Sequence, residues 1–127
     1  VPEGGGERLF VVLCASGFES VERMRSALMF SSLGASAGYR SVLYCVQNAV
    51  EVMVRGEAQR REKPVPGTPT LGGRLAEALE AGVEIQCCSQ TLKNRGIEEK
   101  DLIEGAVVSG AMALVSLATR AEGTLSF

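Results

Sequence analysis

Apolar residues in this chain gather into short dense runs separated by longer amphipathic or polar segments. RLFVVLC (8–14), RSVLYCV (40–46), VEIQCC (83–88) and AVVSG (106–110) are such runs, and they read as strands; the first is closed off by the small residues ASG. GTLSF (123–127) reads as a short fifth strand at a sheet edge. Between the runs the spacing changes to that of helices. In VERMRSALMFSSLGA (21–35), Val21, Met24, Leu28 and Ala35 share one face while Glu22, Arg23 and Arg25 lie elsewhere. Glu19 or Ser20 caps its start, and Gly34 or Gly38 supplies the stop.

Further along, NAVEVMVRG (48–56) predicts a short helix ended by Gly56, and LGGRLAEALEAG (71–82) one ended by Gly82. SQTLKNRG (89–96) predicts a short helix and IEEKDLIEG (97–105) a turn with another helical piece. EAQRREKPVPGTPT (57–70) carries charges and three prolines without apolar periodicity, which predicts a mobile surface loop. AMALVSLATRA (111–121) is apolar almost all round, which predicts a buried helix, covered by a subunit interface where one domain does not suffice.

Strands alternating with helices predict one α/β domain over residues 8–127, with an open, mostly parallel five-stranded sheet and right-handed crossovers. Residues 1–7, with Gly4-Gly5-Gly6, predict a flexible tail; the basic and apolar regions of a secretory leader are missing from it. In open parallel sheets ligands gather beyond the carboxyl ends of the strands. Cys14, Cys45 and the pair Cys87-Cys88 each close a predicted strand, which puts four thiols on that side.

Composition narrows the chemistry. The 127 residues include no histidine, which excludes Ser-His and Cys-His nucleophile pairs and imidazole metal ligands. A net charge of −2, no tryptophan and 5% aromatics argue against a nucleic-acid partner. No apolar run is long enough to cross a bilayer, so no membrane role is expected and the cytoplasm is the expected location. Four cysteines there need a reason other than structural disulfides. Their spacing contains no C-x-x-C knuckle, so a zinc site is not expected. CASGFES (14–20) matches neither phosphate-loop pattern, and no organic cofactor is expected.

The adjacent thiols differ by alternation. Val83, Ile85 and Cys87 share one strand face, so Cys87 inherits burial, whereas Cys88 falls with Glu84 and Gln86 and is the better placed to reach solvent. Cys88 also opens the SQTLKNRG helix, where unpaired main-chain N–H groups favour an anion, with Lys93 and Arg95 adding positive charge nearby. A thiolate without a general base suits sulfur exchange, in which one thiolate attacks and another leaves. Cys87 is either a small buried packing residue or a resolving thiol.

RLFVVLCASG, the strand ending in QCC, CSQTLKNRGI with its cysteine eight residues before Gly96, and DLIEGAVVSGAMALVSLATRAEGTLSF together resemble the DsrE/DsrF-like family, which includes the TusD subunit of a bacterial sulfur relay. The resemblance covers most of residues 8–127 and implies a three-layer α/β sulfurtransferase that carries sulfane sulfur as a cysteine persulfide. It places the sulfur-carrying cysteine at Cys88, with Cys87 as a neighbour that many members lack; the paired form resembles a branch linked to sulfur oxidation. It implies exchange with a TusA-like carrier protein and a homotrimer or hexamer. The other readings are a non-catalytic oligomeric interaction or regulatory subunit and a thiol redox sensor working through Cys87 and Cys88.

Overall fold

The structure, a computed structural model, describes residues 8–127; the predicted tail over 1–7 lies outside the described residues. Five strands form one sheet: β1 (Leu9–Cys14), β2 (Arg40–Cys45), β3 (Glu84–Cys88), β4 (Ala106–Ser109) and β5 (Gly123–Ser126). Six helices join them: α1 (Val21–Ser36), α2 (Asn48–Val52), α3 (Glu57–Arg61), α4 (Leu71–Ala81), α5 (Ser89–Arg95) and α6 (Ala111–Arg120). The spatial order is β4-β3-β2-β1-β5, and every neighbouring pair is parallel. The expected mostly parallel sheet is thus wholly parallel.

The connections decide which face each helix covers. From β1 through β4 the chain steps steadily toward one edge, then returns across the whole sheet to place β5 beside β1. A right-handed crossover that reverses direction must lie on the opposite face. Hence α1 and α4 lie together on one face, and α6 crosses the other. The first face is closed. Val12, Leu43 and Ile85 from the strands meet Met24, Leu28, Leu71 and Leu75 from α1 and α4 in a continuous buried core. At the other end of the strands Arg40 and Glu84 make a bidentate ion pair between β2 and β3, at 2.8 and 3.0 Å.

The second face is only partly closed. One ten-residue helix spans about 15 Å, while five strands spread over about 19 Å. Leu117 of α6 is buried with Leu9, Val11 and Val42, but Met112 is 75% and Val115 48% exposed. Val107 on β4 is half exposed as well. The buried helix expected over 111–121 is therefore an open one in the single chain, because the reversed crossover leaves it no second helix to pack against.

The segment 57–70 also departs from the expected loop: it begins with α3. Gly56, at φ 81°, turns the chain into that helix, and Arg60 reaches one turn back to Glu57 at 2.6 and 2.8 Å. The β1–α1 loop is seated against the start of α2. A Cβ built on Gly17 would come within 2.1 Å of the Asn48 carbonyl oxygen, a backbone atom with nowhere to go. Gly17→Ala is expected to lose about 1–3 kcal/mol or more of stability in urea titration; an unchanged midpoint would show that this contact is not tight.

Candidate functional site

The four thiols do not share one environment. Strand register sets Cys14 beside Cys45 and Cys45 beside Cys87, so three thiols form a row across β1, β2 and β3 at their carboxyl ends. All three are sealed in the core under α1 and α4. Cys14 donates to the Ser16 carbonyl at 3.3 Å, and burial pushes its pKa up to about 11. The Cys45 thiol is held well above its ordinary range by its hydrogen bond to Cys87 and by burial. Cys14 and Cys45 thus have the properties of packed, protonated thiols. All four cysteines are unbridged, and among the described residues no three His, Cys, Asp or Glu side chains come together as a metal-binding group.

Cys88 stands apart. It pairs with Ser109 of β4, and alternation along β3 turns it, with Gln86 and Tyr44, to the face that α6 crosses. It is the residue from which α5 starts. Burial is the largest influence on its thiol and opposes ionisation. The main-chain N–H and hydroxyl of Thr91, the N–H of Gln90 and the hydroxyl of Tyr44 act the other way. Together they outweigh burial, and the pKa of Cys88 is lowered. The N–H groups make no ordinary capping hydrogen bond to the neutral thiol; they face the sulfur and favour its anion.

Two side chains complete the surroundings. The Tyr44 hydroxyl lies between the Ser109 carbonyl, to which it donates at 2.8 Å, and the Cys88 sulfur. Burial, and then the nearby Cys88, raise the Tyr44 pKa, so between the two it is the sulfur that ionises. Thr91 is buried, and its Oγ1 accepts the main-chain N–H of Gln47 at 3.1 Å. Gln47 is the one non-glycine among the described residues with a positive φ, at φ 51° and ψ −129°. A side-chain-bearing residue in that region is strained by about 1–3 kcal/mol.

The structure thus brings Cys88 to main-chain N–H groups as expected, and places Cys87 on the other side of the sheet beside Cys45. Access is tighter than the sequence implied. Cys88 is 8% exposed, against 0% for Cys87. The positive charge expected from Arg95 is taken up elsewhere, by Glu51 and by Asn48 Oδ1 at 2.9 Å. Tyr44 and Thr91 escaped sequence reasoning. For Tyr44 the signal was present, since alternation in RSVLYC sets it opposite Cys45. For Thr91 there was none, because its partner lies 44 residues away.

The fold is a wholly parallel α/β sheet with the Cys88 thiol at the end of β3. The chain matches the model of the DsrE/DsrF-like family over residues 8–127, and it belongs to that family. It is 27% identical to the uncharacterized protein MJ0989 of Methanocaldococcus jannaschii, over 93% of this chain and 98% of that protein. It is 26% identical to MJ0760 of the same organism, over 83% of this chain but 37% of that protein, so it spans little more than a third of this relative. In structure it is similar to the YchN protein of E. coli, with a TM-score of 0.78 at 20% identity over 94% of this chain and 99% of that one. A protein of unknown function from Methanobacterium thermoautotrophicum, MTH1491, superposes with a TM-score of 0.66 at 21% identity, over 96% of this chain and 100% of that one. These likenesses show the fold.

Two outcomes test the geometry. Iodoacetamide at pH 7 is expected to alkylate Cys88 first in the folded protein, with Cys14, Cys45 and Cys87 reacting only once it unfolds; peptide mapping that finds Cys87 labelled as fast as Cys88 would contradict the face assignment. Gln47→Gly relieves the strained backbone and is expected to raise stability by about 1 kcal/mol in thermal or urea unfolding.

Proposed function

We propose that the protein is a sulfur-transfer protein that carries sulfane sulfur as a persulfide on Cys88. The family is associated with sulfur transfer. One observation supports the finer reading: the Cys88 thiol, lowered in pKa, is faced by the main-chain N–H groups of Gln90 and Thr91 at the start of α5, in a chain without histidine. Such a site favours an anion without abstracting a proton during the reaction. Sulfur exchange asks for no more than this.

In the exchange step the Cys88 thiolate attacks the outer sulfur of a donor. The new S–S bond forms with the electron pair of the thiolate, and the donor's S–S bond breaks with its pair leaving on the inner sulfur. A carrier persulfide becomes a carrier thiolate; thiosulfate becomes sulfite. Cys88 ends as a persulfide anion, charge is conserved, and the same N–H and hydroxyl groups face the terminal sulfur. The reverse step returns the sulfur to a second thiolate. A TusA-like carrier protein fits either end of this exchange. No metal or organic cofactor enters it. Cys87, sealed against Cys45, serves as packing.

The second reading, an oligomeric interaction subunit, draws on the open face of α6 and β4. Met112, Val115 and Val107 expose more apolar surface there than a lone chain needs. This is where copies of the chain meet, as a trimer or hexamer, and assembly is compatible with sulfur carriage. Introducing a charge there, Val115→Glu, is expected to shift light-scattering mass toward the monomer; a wild-type chain that is already monomeric at micromolar concentration overturns the assembly.

For the transfer itself, reduced protein is mixed with thiosulfate, polysulfide or a persulfidated carrier and weighed intact. Wild type and Cys87→Ala are expected to gain the mass of one sulfur atom, and Cys88→Ser to gain none. Equal loading of Cys88→Ser would remove the reading. Loading of the wild type without onward release to any carrier thiol would favour the interaction subunit.

A further inference from the structure

The turn that leaves β1 closes against the end of β5. Phe127 donates its main-chain N–H to the Leu13 carbonyl at 2.8 Å and accepts the Ala15 N–H at 2.9 Å. Its ring stacks on Phe30, with 5.8 Å between centroids. The Ser16 carbonyl accepts the Cys14 thiol at 3.3 Å, and the next residue, Gly17, sits against the Asn48 carbonyl. These contacts fix both walls of a groove of about 460 Å³ lined by Leu13, Ala15, Ser16, Arg23, Ser126 and Phe127. It lies beyond the carboxyl ends of β1 and β5, on the side where parallel sheets gather ligands. Cys88 does not line it; that residue ends β3, with β2 between.

Two residues of the groove carry polar groups that the fold does not use. Ser16 is 6% exposed, and its hydroxyl makes no hydrogen bond with a described residue. The other three buried polar side chains among the described residues are all engaged: Ser31 on the Ala27 carbonyl, Ser41 on the Ser31 carbonyl, and Thr91 by the Gln47 N–H. Native folds rarely leave a buried polar group without a partner, and such a group calls for a water or a ligand. The one sealed side-chain polar atom without a partner among the described residues is Gln86 Oε1, so the Ser16 hydroxyl is open to the groove. Arg23 is the second. Arg25, Arg61 and Arg95 around it are held by Glu62 and Glu51, whereas Arg23 forms no ion pair or hydrogen bond with a described residue.

A guanidinium and a hydroxyl donor on one groove select an anion. Leu13, Ala15 and the Phe127 ring give that anion an apolar wall, which asks for a hydrocarbon part. Glu19 and Glu22 border the adjoining cleft, which Arg23 also lines, and they set the single cation against a dianion such as phosphate. We propose that the groove binds a small organic monocarboxylate, its carboxylate on Arg23 and the Ser16 hydroxyl and its hydrocarbon part on Leu13, Ala15 and Phe127. The volume is that of a small-molecule site. The site stands whether or not Cys88 carries sulfur.

The test is a titration of ¹⁵N-labelled protein with benzoate, with its neutral analogue benzamide and with inorganic phosphate, followed by amide NMR shifts. Benzoate is expected to move the Ala15, Ser16 and Phe127 amides along saturating curves at millimolar concentration, and benzamide and phosphate to leave them in place. Arg23→Gln is expected to weaken benzoate about tenfold or more and Ser16→Ala about fivefold. Lys63→Gln, which removes a cation from the adjoining cleft, is expected to change affinity less than about twofold. Since Ser16→Ala breaks no hydrogen bond of the fold, the unliganded variant is expected to keep the wild-type urea midpoint. Benzoate that moves no groove amide overturns the proposal, as does equal binding of benzamide or phosphate, or an Arg23→Gln protein with wild-type affinity. A marked fall in the Ser16→Ala midpoint shows that the fold itself uses the hydroxyl and overturns its assignment to the ligand. Arg23 is exposed, so Arg23→Gln decides the matter where Ser16→Ala fails to fold.

Discussion

Successive side chains leave opposite faces of a strand, and at the end of β3 this one constraint separates two chemically identical neighbours. Cys87 is sent into the closed core, beside Cys45. Cys88 is sent to the partly covered face, where β3 ends and α5 begins. A shift of one residue in register would exchange them, putting the polar surroundings of Tyr44 and Thr91 around the wrong sulfur. The register is secured by the rest of the sheet: Val83 and Ile85 must remain with the α1 and α4 core, and Glu84 must remain opposite Arg40. The chemistry at Cys88 is thus inherited from hydrophobic packing several residues earlier in the chain.

The same sheet shapes the molecule's exterior. Because β5 returns to the far side of β1, α6 alone serves a whole face. The consequence is an asymmetric protein, closed by helices on one side and partly open on the other, and Cys88 belongs to the partly open side. Tyr44 ties the two together. Its hydroxyl touches the Cys88 surroundings and the Ser109 carbonyl, immediately before the turn into α6.

Much of this was legible in the residues. The apolar runs at 8–14, 40–46, 83–88 and 106–110 mark four of the strands to within two residues, and the opposite faces of Cys87 and Cys88 follow from Val83 and Ile85. The absence of histidine limits the chemistry before any geometry is known. What was not legible depends on contacts between distant segments. The Thr91 hydroxyl has no local mark, because the N–H bonded to it comes from a strained residue in another loop. The exposure of α6 follows from the order of the strands, which apolar content does not encode; a helix apolar all round reads as buried until one knows that nothing lies over it. The short α3 hid in a proline-rich segment because its support is a Glu57–Arg60 pair rather than an apolar stripe.

The row of Cys14, Cys45 and Cys87 gives the proposed function a further consequence. A protein that carried sulfur on Cys88 would hold three further thiols in the same sheet, and tertiary structure alone would tell them apart. Once the sheet opens, all four thiols become ordinary and equally able to accept or pass on a sulfur atom. On the proposed function, chemical fidelity is a folded-state property, since a chain that unfolded while loaded would spread its sulfur among sites with no means of giving it back in order.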